Sequence, residues 1–130
     1  MSLVKLSFIV GFGGFLGSIL RLQTNLLLTK LIPSSIPYGT LLVNLLGCFI
    51  IGLVMPVFLS NIATEELKFF FVVGVLGSLT TFSSFSYESL NLLKDDIIRG
   101  SSYISLTFLG CFILTFIGYK LSWRLLSLFT

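Results

Sequence analysis

Gly77-Ser78-Leu79-Thr80-Thr81-Phe82-Ser83-Ser84-Phe85-Ser86 interrupts an apolar segment long enough to cross a bilayer. Six of these ten residues carry hydroxyls. Backbone at hydrocarbon depth must stay helical or find partners elsewhere in the protein. A glycine-preceded, hydroxyl-rich run at that depth predicts a helix broken near its middle and buried in protein. Broken spans expose carbonyls and amide dipoles, which coordinate ions. Ion handling is therefore the first functional expectation.

The rest of the chain is as apolar as that reading requires. Of 130 residues, 55% are hydrophobic and 10% are charged, and mean hydropathy is +1.08. A soluble domain carries about 25% charged residues. The composition predicts an all-α integral membrane protein with a single membrane domain over residues 1–130. Net charge is +3, but the basic residues are scattered, and no nucleic-acid stripe of clustered Lys and Arg is present. There is no histidine, which removes the commonest general base, metal ligand and neutral-pH proton relay. Cys48 and Cys111 lie in separate apolar runs and spell neither a disulfide framework nor a zinc site. Lys5 followed by the apolar run Leu6 to Leu20 imitates a signal peptide. No clear small-residue cleavage site follows, so a retained first span is expected.

Apolar runs of about 20 residues mark transmembrane helices. Four are expected: Val4 to Leu28, Tyr38 to Leu59, Leu67 to Leu93 and Ser102 to Leu126. The connectors hold breakers: Pro33 to Pro37, then Ser60-Asn61 with Thr64-Glu65-Glu66, then Lys94-Asp95-Asp96 with Arg99-Gly100. Thr64 is placed to cap the third helix, with glutamates in its first turn. Gly13 and Gly17 have G-x-x-x-G spacing, and Gly47, Gly52, Gly110 and Gly118 mark other faces. Small residues of this kind bring helices close together and imply neighbours, which oligomerisation supplies.

An even span count puts both termini on one side, with Lys5, Lys68, Lys120 and Arg124. The opposite side holds Arg21, Lys30, Lys94 and Arg99. Orientation normally follows an excess of Lys and Arg in cytoplasmic loops. Four against four gives no such excess, and insertion in both orientations is expected. A chain that inserts both ways can pair antiparallel with itself.

Candidate pathway residues follow from polarity at depth. Asn44 is the single amide of the second span, and such a residue faces a bundle interior or a pathway. Its NH2 can serve an anion, or it can join two helices. Phe82 and Phe85 stand three apart and share a face where the chain is helical. Ring edges are positive and contact a dehydrated anion. With fourteen Phe in the chain, spacing alone favours lipid contact or packing, and the neighbouring hydroxyls are what point to a pathway. Tyr103, Thr107, Cys111 and Thr115 recur every four residues, a polar stripe along the fourth span. Hydroxyl stripes also arise when Ser and Thr bond back to their own helix, and both readings stand. Arg21 and Glu88 are the charges nearest the membrane interior. No nucleophile has an adjacent base and there is no phosphate loop, so an enzyme is not expected.

Taken together, Gly13-Gly14-Phe15-Leu16-Gly17 with Arg21, Gly39-Thr40 with Asn44 and Gly47, and Gly77 through Ser86 with Glu88 resemble the Fluc fluoride channels, also called the CrcB family. The resemblance spans nearly the whole chain, and Thr80-Thr81-Phe82-Ser83 is its most specific element. It implies a passive fluoride channel of the cell membrane, an antiparallel dual-topology homodimer, with some relatives pairing two different chains. It implies two pores flanking a central structural sodium ion, held by the backbone carbonyls of Gly77 and Thr80 from both subunits. It maps the fluoride pathway to Asn44, Phe82, Phe85, Thr81, Ser83, Tyr103, Thr107, Cys111 and Thr115, with Arg21 and Glu88 as supporting charges. Ser78, Ser84, Cys48 and Cys111 depart from the pattern, and a thiol is a poorer donor than a hydroxyl. Two other expectations compete. A small four-span multidrug exporter needs a carboxylate in its first span, which is absent. A structural membrane subunit explains the glycines but not the polar residues at Asn44 and from Thr80 to Ser86.

Overall fold

A computed structural model describes residues 2–128. Its elements are α1 (Leu3–Leu31), α2 (Tyr38–Leu59), α3 (Glu65–Lys68), a π-helical stretch (Phe69–Leu76), α4 (Gly77–Leu79), α5 (Phe82–Asp95) and α6 (Ile97–Leu126). These make four spans long and apolar enough to cross a membrane: Leu3–Leu31, Tyr38–Leu59, Glu65–Asp95 and Ile97–Leu126. The third is assembled from α3, the π stretch, α4 and α5, and it bends at Thr80 and Thr81.

Local chemistry sets the ends. Ser2 caps α1 by accepting from Lys5 N. The α2 helix ends in a Schellman turn, in which Asn61 N donates to Phe58 O at 3.2 Å and Ile62 N to Val57 O at 3.3 Å. Asn61 takes the left-handed conformation this turn demands, with φ 54°. Thr64 caps the third span as expected, accepting from Leu67 N at 3.4 Å.

The connector before α6 is shorter than the sequence reading placed it. Arg99 and Gly100 lie inside α6 rather than in a loop, and Asp96 alone separates α5 from α6. Asp96 Oδ1 accepts from Ile98 N at 2.9 Å and Arg99 N at 3.1 Å, so one side chain caps the new helix at once. Gly100 permits the sharp return, because a Cβ there would sit 2.7 Å from Leu93 N.

Helix packing divides the third span between two neighbours. The π stretch and α4 lie on α1, whereas α5 lies on α6, and α2 packs along α6. In lipid, close van der Waals fit rather than hydrophobic burial drives such contacts. The Gly13 and Gly17 face of α1 meets the π stretch backbone to backbone. A Cβ on Gly17 would collide with Val75 O, and one on Gly74 would sit 2.9 Å from Gly13 Cα. The buried cluster Leu41, Phe85, Leu92 and Tyr103 joins α2, α5 and α6. Phe8 and Phe15 point outward from α1, a surface that hydrocarbon solvates.

Candidate functional site

The break in the third span is a designed hydrogen-bond exchange. Thr80 N makes the last helical bond, to Leu76 O at 3.0 Å. Thr80 and Thr81 then turn extended, with ψ 155° and 122°. In a continuous helix Thr81 N would close on Gly77 O. Here it donates to Asn44 Oδ1 at 2.8 Å, and Asn44 Nδ2 donates back to Thr81 O at 3.0 Å. The amide of α2 thus pairs with an extended residue as a neighbouring strand would. This satisfies a buried peptide unit that lipid could not. The sequence left Asn44 between anion contact and helix joining. Its oxygen and one N–H join helices.

The two ends of the break are held separately. Arg21 Nη1 donates to Thr80 O at 3.4 Å. Thr81 Oγ1 caps α5 by accepting from Ser84 N at 3.3 Å, and it also meets Ser84 Oγ at 3.2 Å and Ser83 Oγ at 3.3 Å. Thr80 Oγ1 bonds back to Leu76 O at 2.9 Å. The run of hydroxyls is therefore partly self-satisfying, as Ser86 Oγ to Phe82 O at 2.8 Å and Ser89 Oγ to Phe85 O at 2.6 Å also illustrate.

Beside the break lies a groove between α2, α5 and α6. Its upper part, about 260 Å³, is lined by Asn44, Thr81, Phe82, Phe85, Thr107 and Cys111, joined by Cys48, Thr80, Phe108 and Phe112. Its lower part, about 430 Å³, runs past Cys48, Cys111, Phe112, Thr115, Phe116 and Tyr119. The structure thus brings most of the expected pathway residues to one surface. Phe82 and Phe85 stand with ring centroids 5.6 Å apart, but Phe82 is 73% exposed and Phe85 only 7%. Ser83 is exposed beside the groove mouth and reaches it through Thr81.

Tyr103 is placed differently from the rest of its stripe. It is buried, and its hydroxyl donates to Glu88 Oε2 at 3.1 Å. Thr40 Oγ1 donates to Glu88 Oε1 at 2.8 Å, so the carboxylate ties α2, α5 and α6 together. Thr107 Oγ1 bonds back to Tyr103 O at 2.8 Å, and Thr115 Oγ1 crosses to Cys48 O at 3.0 Å. Sequence reasoning missed Thr40 as a glutamate partner, and Phe108, Phe112 and Phe116 as lining. The four-residue spacing of those rings was the available signal, one position past the polar stripe.

With this geometry in hand, likeness to known proteins is specific. Residues 8–119 match the family model "CrcB-like protein, Camphor Resistance (CrcB)". A Clostridium perfringens protein named "Fluoride-specific ion channel FluC" is 41% identical over 125 residues, covering 94% of this chain and 97% of the relative. A Dehalococcoides mccartyi protein of the same name is 44% identical over 108 residues, covering 82% and 83%. Another of that name, from Campylobacter jejuni, is 50% identical over 86 residues, covering 66% and 70%. Spans, broken third helix and likeness agree across nearly the whole length: the chain belongs to the CrcB-like family.

Proposed function

We propose that this chain is a fluoride-specific channel of the cell membrane that lets cytoplasmic fluoride leave passively. The observation that carries the reading is the Asn44-clamped break at Thr80 and Thr81, opening into a groove of ring edges and hydroxyls. The name shared by the relatives supplies the ion.

Fluoride is small and strongly hydrated, so a pathway must replace much of its water shell. The second N–H of Asn44 and the hydroxyls of Ser83 and Thr81 are donors at the groove mouth. The edges of Phe82 and Phe85 add weak positive contacts. Thr107, Cys111 and Thr115 continue the track along α6, with Tyr103 above them set by its bond to Glu88. Arg21 places a fixed positive charge behind the break through Thr80 O. A membrane potential supplies about 2.3 kcal/mol per charge per 100 mV, so a passive path suffices to drive an anion outward.

Two chains in opposite orientations, each with its own groove, complete this proposal. The carbonyls of Gly77 and Thr80 suit a sodium ion shared between them. Gly77 O has lost its helical donor to Asn44, and Thr80 O keeps a second lone pair beside the Arg21 bond. Hard cations take several oxygen ligands, more than these two, which agrees with a second copy contributing its own pair. Such an ion would make the centre more positive for a nearby anion.

Liposomes carrying the purified protein test the function. With an ionophore clamping the voltage, a fluoride electrode should record rapid fluoride release while chloride stays trapped. Equal release of both ions defeats the assignment.

A further inference from the structure

Cys48 and Cys111 are the only cysteines of the chain, and the fold brings these sequence-distant thiols together. One lies on α2 and the other on α6, and both face the same groove. Both are partly buried and both line the upper and the lower part of the groove. With Phe112 they are the residues common to both parts, so they stand at the junction. The helices carrying them cannot drift apart easily. Thr115 Oγ1 holds Cys48 O at 3.0 Å, and Gly52 lets α2 lie directly on the Thr115 carbonyl.

We propose that Cys48 and Cys111 form a two-sulfur binding site for a thiophilic d10 cation, and that its occupation closes the groove. Among the described residues, no group of three or more His, Cys, Asp or Glu gathers to hold a metal. Zinc, which wants four ligands, is therefore poorly served. Soft ions that accept two sulfurs, such as Hg2+, Ag+ and Cu+, are suited by thiolates. For Hg2+ the balance is simple. Each S–H bond breaks, each sulfur keeps the electron pair and donates it to the metal, and two protons leave to water. No oxidation state changes, and the product is neutral, which a site at hydrocarbon depth favours over a charged one. The bound ion bridges α2 and α6 at the junction of the two parts, so passage from Asn44 toward Tyr119 stops there. Closure rests on the groove being the ion pathway; binding does not.

The test therefore has two readouts. Purified full-length protein is titrated with Hg2+ and followed by sulfur-to-mercury absorbance in the near ultraviolet. One Hg2+ per chain is expected. Cys48→Ser or Cys111→Ser should each weaken binding on the order of 100-fold, because the second sulfur acts at high effective concentration. Cys48→Ala serves as a second variant should the serine at that position disturb folding. Fluoride efflux is then measured with and without Hg2+, each protein against its own metal-free rate. Block in the unmodified chain, reversed by a dithiol chelator and absent in the double serine variant, supports the proposal. Unweakened binding in either single variant, or block that persists in the double variant, overturns it. A protein that moves no fluoride at all would defeat the channel reading, while the absorbance titration would still decide the site.

Discussion

The two halves of the third span are built on opposite principles. Phe69–Leu76 is wholly apolar, winds as a wide π helix and lies on the glycine face of α1, backbone against backbone. Phe82–Asp95 is amphipathic, winds as an ordinary α-helix capped by Thr81, and meets α2 and α6 through Glu88 and a buried cluster of leucines and rings. The first half is held by the absence of side chains, the second by their chemistry. The boundary falls at Thr80 and Thr81, where Asn44 offers a better partner for a peptide group than the helix itself. The lesson is that a polar residue on a neighbouring span, more than local propensity, decides where a membrane helix stops.

Substitutions sharpen that contrast. The largest effect should come from Asn44→Ala. It strands the N–H and C=O of Thr81, a residue only 8% exposed, at about 1–3 kcal/mol for each group. Fluoride flux should vanish and the detergent-solubilised protein should melt earlier. Asn44→Asp keeps the acceptor for Thr81 N and should lose less; an Ala variant as stable and active as the unmodified chain would break the argument. Next comes Gly17→Val on the other half, which forces a side chain into Val75 O. It should cost about 1–3 kcal/mol by overpacking, seen as a lowered melting temperature, with Gly17→Ala milder. A fully stable Gly17→Val protein would show that the π stretch is not held by close approach.

The aromatic pair separates stability from flux within the second half. Phe82→Ile alters an exposed ring and should change stability by no more than about 0.5 kcal/mol, yet slow fluoride release. Phe85→Ile should do both, because Phe85 also packs against Tyr103 at 5.6 Å. Unchanged flux in both variants would return the rings to packing. The smallest effect belongs to Asp96, whose carboxyl is held below the usual carboxylate range. The backbone N–H of Arg99 is the main cause, with the Ile98 N–H and the Arg99 charge adding to it. A lowered value means the contribution is fully present above the ordinary carboxylate range and fades as pH falls through the lowered one. Acidification below that range should loosen the start of α6, read as faster amide exchange at Ile98 and Arg99. Asp96→Asn should flatten that dependence.

Hydropathy alone marks all four spans, since about twenty apolar residues allow no other reading in water or lipid. The break was legible as well, because hydroxyls and glycine do not cluster by chance in such a run. Its address was not. Nothing local distinguishes Thr80 from Ser83 until Asn44, a residue on another span, is brought opposite. The π winding of Phe69–Leu76 leaves no compositional trace, as an unbroken apolar run suits either helix. Arg99 and Gly100 look like loop residues, yet they serve α6, one at its capped first turn and the other at its contact with Leu93. Cys48 and Cys111 look isolated because their shared place in one groove depends on the pairing of α2 with α6, which no spacing encodes.

The elbow at Asp96 has a mechanical corollary. With one residue between them, α5 and α6 have no slack, and a tilt of either drags the other along. The opposite end of α5 is also fixed, by Asn44 on Thr81 and Arg21 on Thr80. A push on the short connector would therefore travel along a stiff rod to Thr81 and its neighbouring rings, with little absorbed on the way.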